Sequence, residues 1–389
     1  MFALAVGGFA IGTTEFVTMG VLPQIADGVG VDIPTAGHLI SAYALGVVVG
    51  VPILSLFIAG LPRKGLLIGL MGVYGFFNLA SALAQNYHQL LVARFFDGIP
   101  HGAYFGIASL VAASLSKPEN RGRAVAMVML GLSVANVAGV PFATWLGQQF
   151  GWRMPFVVAA ALAGLTALMI QLFVPHFPAD TEATGRKEAG VFFTNSQVWI
   201  TMVSGAVGFG GLFAVYSYIA NTVTEVGGLS ESVVPWFVAA FGLGMVVGTW
   251  IAGELSRWSV YGSLMIGGVG TFFVLLVYWV VAPYGWWLWP AAFLTTALGS
   301  VLTINLQIRL MDVAGNAVTL GAAMNHAALN TANALGAWVG GLVIAAGYGY
   351  RAPALAGAAL SVLGIGLLLV AGAMQRATSA QRHRSDTHR

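Results

Sequence analysis

Long apolar runs alternate with short polar connections along the whole chain. A helix needs about 20 apolar residues to cross a bilayer, and twelve runs meet that length: 2–23, 36–59, 65–84, 89–113, 122–146, 154–176, 196–221, 232–253, 260–281, 285–308, 317–344 and 351–374. The longest polar connection, 177–195, falls between the sixth and seventh runs. The pattern predicts an all-α integral membrane protein with twelve transmembrane helices in two six-helix bundles, residues 1–176 and 196–374.

The composition excludes a water-soluble fold. Hydrophobic residues make up 58% of the chain and charged residues 7%, which is too little charge to cover a soluble globule of 389 residues. The chain has no Cys, so disulfides and thiolate chemistry are excluded. A net charge of +3 is too small to indicate a nucleic-acid partner.

The distribution of Lys and Arg predicts the topology. Thirteen of them lie in the connections on one side and in the tail, whereas only Arg153 and Arg351 lie in the opposite connections, and Arg94 lies within a helix. Positive residues accumulate on the cytoplasmic side of inner or plasma membranes. We therefore expect both termini, the linker 177–195 and the basic tail 375–389 to be cytoplasmic.

The two halves carry the same sequence patterns at a fixed offset. AYALGVVVG at 42–50 is repeated as AFGLGMVVG at 240–248, an offset of 198, and ANVAG at 135–139 is repeated as ANALG at 332–336, an offset of 197. Because each half has an even number of helices, the copies share one membrane orientation. The bundles are thus predicted to be pseudo-symmetric and able to rock about a central site.

Ionisable residues inside predicted helices are few, and each is costly in hydrocarbon unless it faces a partner or a cavity. Glu15 and Asp97 are predicted at the same depth, and Arg94, Asp97 and His101 share one helix face. We interpret Glu15 as the carrier of a coupled proton, with Arg94 and Asp97 modulating it and His101 as a relay. The alternatives are a static Arg94–Asp97 ion pair and a Glu15 carboxylate held by neighbouring threonines.

A second polar group is predicted near the membrane midplane. Its members are expected to bind a small-molecule substrate between the halves: Tyr216, Asn305, His326, Asn330 and Asn333. The alternative is hydrogen bonding that holds helices together. No two histidines lie three or four residues apart inside a helix, and no phosphate-binding loop or catalytic triad occurs. We therefore expect no metal, no cofactor and no enzymatic activity.

The fifth run carries residues suited to close packing and bending. Gly131 and Gly139 permit close approach of a neighbouring helix, and Pro141 removes a backbone hydrogen bond. We interpret these residues, with Asn136, as packing or hinge positions.

Four segments resemble a known family. They are GTTEFVTMGVLP (12–23), RFFDGIPHGAYFG (94–106), GLSVANVAGVPFATWLGQQFGWR (131–153) and NHAALNTANALGAWVGG (325–341). Together they resemble the twelve-helix drug:proton antiporter branch of the major facilitator superfamily, although 50–65 lacks the acid that the family's cytoplasmic motif normally carries.

The resemblance implies a monomer in the lipid bilayer that exchanges protons for small amphipathic drugs or sugar-like compounds by alternating access. Two alternatives remain open at this point. One is a proton-independent uniporter or exchanger, and the other is a membrane-embedded sensor or binding protein.

Overall fold

Long helices dominate the computed structural model, which describes residues 1–57, 61–117, 120–176, 194–314 and 318–386. Twelve long helices lie within these ranges: α1 Phe2–Gly20, α2 Ile33–Phe57, α3 Arg63–Leu83, α4 Tyr87–Ser114, α5 121–150, α6 Met154–Phe173, α7 Ser196–Tyr216, α8 Val234–Trp258, α9 Val260–Val281, α10 Leu288–Val313, α11 Val318–Val343 and α12 Ala352–Asp386. A short helix, Leu22–Val29, follows α1. The all-helical membrane fold predicted from the apolar runs is confirmed.

Ten segments of the described chain are long and apolar enough to cross a membrane. The segment 260–313 contains both α9 and α10, which are separated by a bend at Gly285 (φ 58°, ψ −108°). Helix α4 is not among the ten, although it is 28 residues long, because Arg94, Asp97 and other polar residues lower its hydropathy. Its polar side chains are tolerated because α4 packs along α2 and α3.

The chain forms two halves, α1–α6 and α7–α12. Residues 177–193 of the predicted linker lie outside the described residues. Helix α12 continues to Asp386, twelve residues past the predicted membrane boundary at 374. Gln, Arg and Ala are good helix formers, so the helix does not need to end where the apolar run ends.

The repeat seen in the sequence is also a repeat of backbone packing. A Cβ on Gly46 or Gly50 of α2 would collide with the backbone of Phe95 or Ile99 in α4. In the second half, Gly244 and Gly248 of α8 have the same relation to Phe293 and Ala297 of α10, each 198 residues later. Glycine is needed at these positions because the two backbones touch.

The break after the first helix of each half is repeated as well. Val21 (φ −118°, ψ 21°) ends α1, and Tyr218 (φ −117°, ψ 23°) has the same conformation 197 residues later. Arg153 and Arg351, which are 198 residues apart, donate to the backbone oxygens of Ala84 at 2.9 Å and Trp279 at 2.8 Å. The two halves therefore share local geometry from their first helices to their last.

The halves meet most closely on the side where α1 ends, called here the far side; the side where α1 begins is the termini side. There α8 packs mainly against the second part of α5, from the π-helical segment Ala135–Gly139 onward, and α2 packs along α11. Ser41 Oγ donates to the Ala334 oxygen at 3.0 Å, and Gln148 Nε2 donates to the Glu231 oxygen at 3.0 Å. These contacts close the far side.

The hinge candidates in α5 lie in or near the π-helical segment: Asn136 and Gly139 are within it, Gly131 precedes it and Pro141 follows it. Pro141 has no N–H, so a backbone acceptor in the preceding turn is left without its helical donor. The Asn136 oxygen points at Gly242 of α8, where a Cβ would collide with it. A Cβ on Gly131 would likewise collide with the backbone oxygen of Ala5 in α1. The π segment is thus part of the stretch of α5 that touches the opposite half.

Candidate functional site

A buried ion pair lies in the middle of α4. Arg94 Nη1 donates to Asp97 Oδ2 at 2.7 Å, and the two residues are 1% and 0% exposed. Asn78 of α3 donates from Nδ2 to the other carboxylate oxygen, Asp97 Oδ1, at 2.6 Å. The guanidinium of Arg94 also lies over the Tyr43 ring at 4.3 Å. The charge of Arg94 is therefore balanced within the first half.

Glu15 of α1 lies beside this pair. Arg94 Nη2 reaches the backbone oxygen of Thr14 at 3.5 Å, and Arg94 interacts electrostatically with the Glu15 carboxyl. Glu15 Oε2 lies 4.0 Å from His101 Nδ1, and that nitrogen is hydrogen-bonded to the Tyr43 hydroxyl at 3.0 Å. The four residues expected to act on a proton, Glu15, Arg94, Asp97 and His101, thus lie in one buried cluster.

The threonines next to Glu15 do not hold its carboxylate. Thr13 Oγ1 donates to the Phe9 oxygen at 2.7 Å and Thr14 Oγ1 to the Ala10 oxygen at 3.3 Å, both within α1. Thr18 Oγ1 is buried without a partner among the described residues. The Glu15 carboxyl faces the imidazole of His101 instead, with Oε2 4.0 Å from Nδ1.

The imidazole of His101 also joins the two halves. Its ring centroid lies 6.1 Å from that of His326 on α11. The His326 ring stacks on Phe105 of α4 with centroids 5.8 Å apart and an angle of 1° between the planes. His101, predicted for the proton site, and His326, predicted for the substrate site, are therefore neighbours across the interface.

Aromatic side chains form a second bridge between the halves. Phe16, which follows Glu15 on α1, stacks on Tyr216 of α7 at 5.7 Å, and Tyr216 stacks on Phe241 of α8 at 4.3 Å. Tyr216 interacts electrostatically with Glu15, and its hydroxyl is buried with no partner among the described residues. Such a hydroxyl is costly to bury and is suited to a ligand or water.

The asparagines expected to bind substrate are buried and incompletely hydrogen-bonded. Asn305 and Asn330 donate only to their own helices, at 2.9 and 3.1 Å, which leaves each Oδ1 without a partner. Neither the Oδ1 nor the Nδ2 of Asn333 has a partner among the described residues. These amides offer acceptors and donors inside the C-terminal half, as a polar ligand requires.

The candidate residues are packed in this arrangement of the helices. Glu15, His101, Tyr216, Asn305, Asn330 and Asn333 are each at most 7% exposed, and His326 is half-buried. A groove of about 480 Å³ lies elsewhere, on the termini side between α2, α3 and α4, and its lining includes Leu54, Leu66, Val73 and Ile99. None of the predicted site residues lines this groove, so we take the cluster that joins the two halves as the candidate site.

Several contributors to the site were not predicted from the sequence, among them Tyr43, Asn78 and Phe105. Tyr43 lies within the repeated segment 42–50, so its place opposite α4 was a usable signal. Asn78 lies in an apolar run that carries few other polar groups, and this isolation was a second usable signal. Phe105 has no signal in the sequence, since it resembles every other apolar residue of α4.

Comparison with known proteins identifies the kind of molecule that contains this cluster. The sequence profile of the Major Facilitator Superfamily matches residues 4–325. The "Inner membrane transport protein YdhP" of Escherichia coli (strain K12) is 38% identical over 374 residues, which cover 95% of this chain and 94% of that protein. The "Chloramphenicol resistance protein" of Streptomyces lividans is 31% identical over 358 residues, 90% and 89% of the two chains.

Solved structures share the fold at lower sequence identity. The inward-facing, unoccupied structure of a bacterial homologue of the human lysosomal transporter Spinster superposes with a TM-score of 0.73 at 15% identity, over 95% of both chains. The D-xylose-proton symporter superposes with a TM-score of 0.70 at 15% identity, over 93% of this chain and 96% of that one.

Proposed function

Because this chain belongs to the major facilitator superfamily, whose members are multi-pass membrane transporters and not enzymes, we propose that it is a proton-coupled exporter. In this proposal it moves small amphipathic drugs or sugar-like compounds out of the cell by alternating access. A relative at 31% identity is named "Chloramphenicol resistance protein" and one at 28% identity is named "Probable sugar efflux transporter", and these names support this substrate range.

One observation carries the proton-coupling part of the proposal. The Glu15 carboxyl lies 4.0 Å from His101, and the His101 ring lies 6.1 Å from that of His326 in the opposite half. A rocking movement of the halves changes the surroundings of this carboxyl, because Arg94 and His101 belong to its own half whereas Tyr216, which also interacts with it electrostatically, belongs to the other. An acid whose surroundings differ between two states binds protons differently in each, which is what coupling requires.

The residues take distinct roles in this mechanism. Glu15 binds and releases the proton, and His101 passes it between Glu15 and the interface. Arg94 and Asp97 set the local charge. Tyr216, Asn305, His326, Asn330 and Asn333 contact the substrate, while Gly131, Asn136, Gly139 and Pro141 allow α5 to move against α1 and α8.

Glu15→Gln tests the mechanism. Glutamine has nearly the volume of a protonated glutamate, so the variant is expected to fold and to exchange chloramphenicol across proteoliposome membranes when no pH gradient is applied. It is expected to lose accumulation driven by a pH gradient, because it cannot release a proton. His88→Gln, which changes an exposed histidine near the start of α4, is the control.

Two results would contradict the proposal. Accumulation driven by the pH gradient in Glu15→Gln would move the proton site to another residue. An unmodified protein that exchanges substrate but never accumulates it against a gradient would be a uniporter or exchanger.

A further inference from the structure

Asn78 lies on α3, and the proposed mechanism gives it no role. Its Nδ2 donates to two acceptors, Asp97 Oδ1 at 2.6 Å and the backbone oxygen of Tyr74 at 2.9 Å. A backbone carbonyl only accepts hydrogen bonds. Tyr74 therefore fixes which end of the amide faces Asp97, and the carboxyl meets an N–H donor.

Both oxygens of Asp97 are bound by donors. Arg94 holds Oδ2 at 2.7 Å and Asn78 holds Oδ1 at 2.6 Å. Donors directed at a carboxylate favour its charged form, whereas burial favours the neutral form, and Asp97 is fully buried. Asn78 thus supplies one of the two donors that favour a charged Asp97 inside the bundle.

Other titratable groups surround this carboxyl from several helices: Glu15 on α1, Tyr43 on α2, Tyr74 on α3, and Arg94 and His101 on α4. The Tyr74 hydroxyl donates to the Ala10 oxygen at 3.0 Å, and the Tyr43 hydroxyl is paired with His101. Within the described part of the chain, only Arg94 and Asn78 donate to Asp97. The loss of the Asn78 donor is therefore not compensated by a neighbour.

We propose that Asn78 is a positioning residue that holds Asp97 as the permanent counter-ion of Arg94 and so reserves proton exchange for Glu15. This inference rests on the proposed function. If Asp97 took up a proton, Arg94 would lose its counter-ion and would pair with Glu15, the next carboxylate within its electrostatic reach. Glu15 would then be held charged, and the proton cycle would stop.

Asn78→Leu removes the donor and keeps the number and branching of the side-chain heavy atoms. The ΔpH-driven transport of this variant, measured in proteoliposomes against pH, is expected to fail at low pH and to recover at higher pH, where Asp97 is charged again. A hydrogen bond to a charged group changes proton affinity by about 10- to 100-fold, so we expect the profile to move by about one to two pH units. Ser81→Ala is the control, because Ser81 is a buried α3 residue with no partner among the described residues.

Infrared difference spectroscopy separates a positioning role from a merely structural one. Asn78→Leu is expected to gain a carboxylic-acid C=O band at neutral pH that is absent from the unmodified protein. The band is expected to be missing from the double variant Asn78→Leu/Asp97→Asn, because it belongs to Asp97. An unchanged pH profile and the absence of a new band in folded Asn78→Leu would overturn the proposal.

A measurement without any Asn78 variant guards against a protein that fails to fold. All carboxylic-acid bands of the unmodified protein are expected to be present in Asp97→Asn as well. One of them is expected to be missing from Glu15→Gln. A band that disappears in Asp97→Asn would overturn the role given to Asn78 while leaving Glu15 untouched. Transport driven by a pH gradient in Glu15→Gln would instead overturn the proposed function.

Discussion

Gly242→Ala is expected to open the far side of the protein. The new methyl group would collide with the Asn136 oxygen of α5 and would lie 2.9 Å from the Val137 nitrogen. Both are backbone atoms of a helix, so no rotamer change relieves the collision. Helix α8 has to move away from α5, and these two helices form part of the contact that closes the far side.

The size of the effect follows from the cost of overpacking. Inserting a methyl group into a well-packed contact costs about 1–3 kcal/mol. Because the collision exists only while α5 and α8 touch, this cost falls on the far-side-closed state alone. A difference of this size shifts the ratio of the closed to the open state by about 5- to 150-fold.

The assay uses the absence of Cys in the natural chain. Spin labels on Gln149→Cys and Ser232→Cys, two exposed positions on opposite halves of the far side, report the separation of the halves by pulsed electron paramagnetic resonance. Gly242→Ala is expected to enlarge the long-distance population. Gly253→Ala on the same helix is the matched control, since a Cβ there has no neighbour within 4 Å.

The outcome that refutes this reasoning is specific. A distance distribution that Gly242→Ala leaves unchanged would show that the contact between α5 and α8 does not limit opening. An equal shift in Gly253→Ala would show that the effect comes from a general change in helix α8 and not from the collision.

Three further predictions concern topology, binding and pH. Reporter fusions at residues 186 and 389 are expected to report cytoplasm, and an external signal at either would overturn the charge argument. His326→Leu and Asn330→Leu are expected to weaken substrate binding about tenfold, the value of one hydrogen bond, in calorimetry on folded protein; unchanged affinity would remove both from the site. Hydrogen bonds from the Thr35 side chain and N–H lower the pKa of the Asp32 carboxyl at the start of α2. The contribution of Asp32 to stability is therefore present above its ordinary pKa of about 3.9 and is lost as the pH falls through the lowered value. Asp32→Asn is expected to abolish that acid dependence in thermal melts.

The helices and the duplication were predictable because both depend on local sequence. An apolar run of about 20 residues has few alternatives to a helix in a bilayer. Glycine is typical of positions where two helix backbones touch, as at 46, 50, 244 and 248. The proximity of Glu15 to α4 also followed, because rise per residue places Glu15 and Asp97 at one depth.

The details that depend on two helices at once were not predictable. The contact of Asn78 with Asp97 depends on how α3 is oriented about its axis relative to α4. The contact of Gly242 with Asn136 depends on where two helices from different halves cross. The π-helical turn at Ala135–Gly139 is such a case too, since Pro141 predicts a disturbed helix but not the kind of disturbance.

The shared geometry of the halves has an evolutionary consequence. Counted by the offsets of their helices, the counterparts of Glu15, Arg94, Asp97 and His101 in the second half are Leu212, Ala292, Thr295 and Gly299. The duplication kept the glycine contacts that hold each scaffold together, while ionisable groups stand at these four positions in one copy alone. Divergence after duplication has thus left the ancestral symmetry in the backbone and divided the chemistry unequally, so that a mutation at one of these positions has no twin that takes over its role.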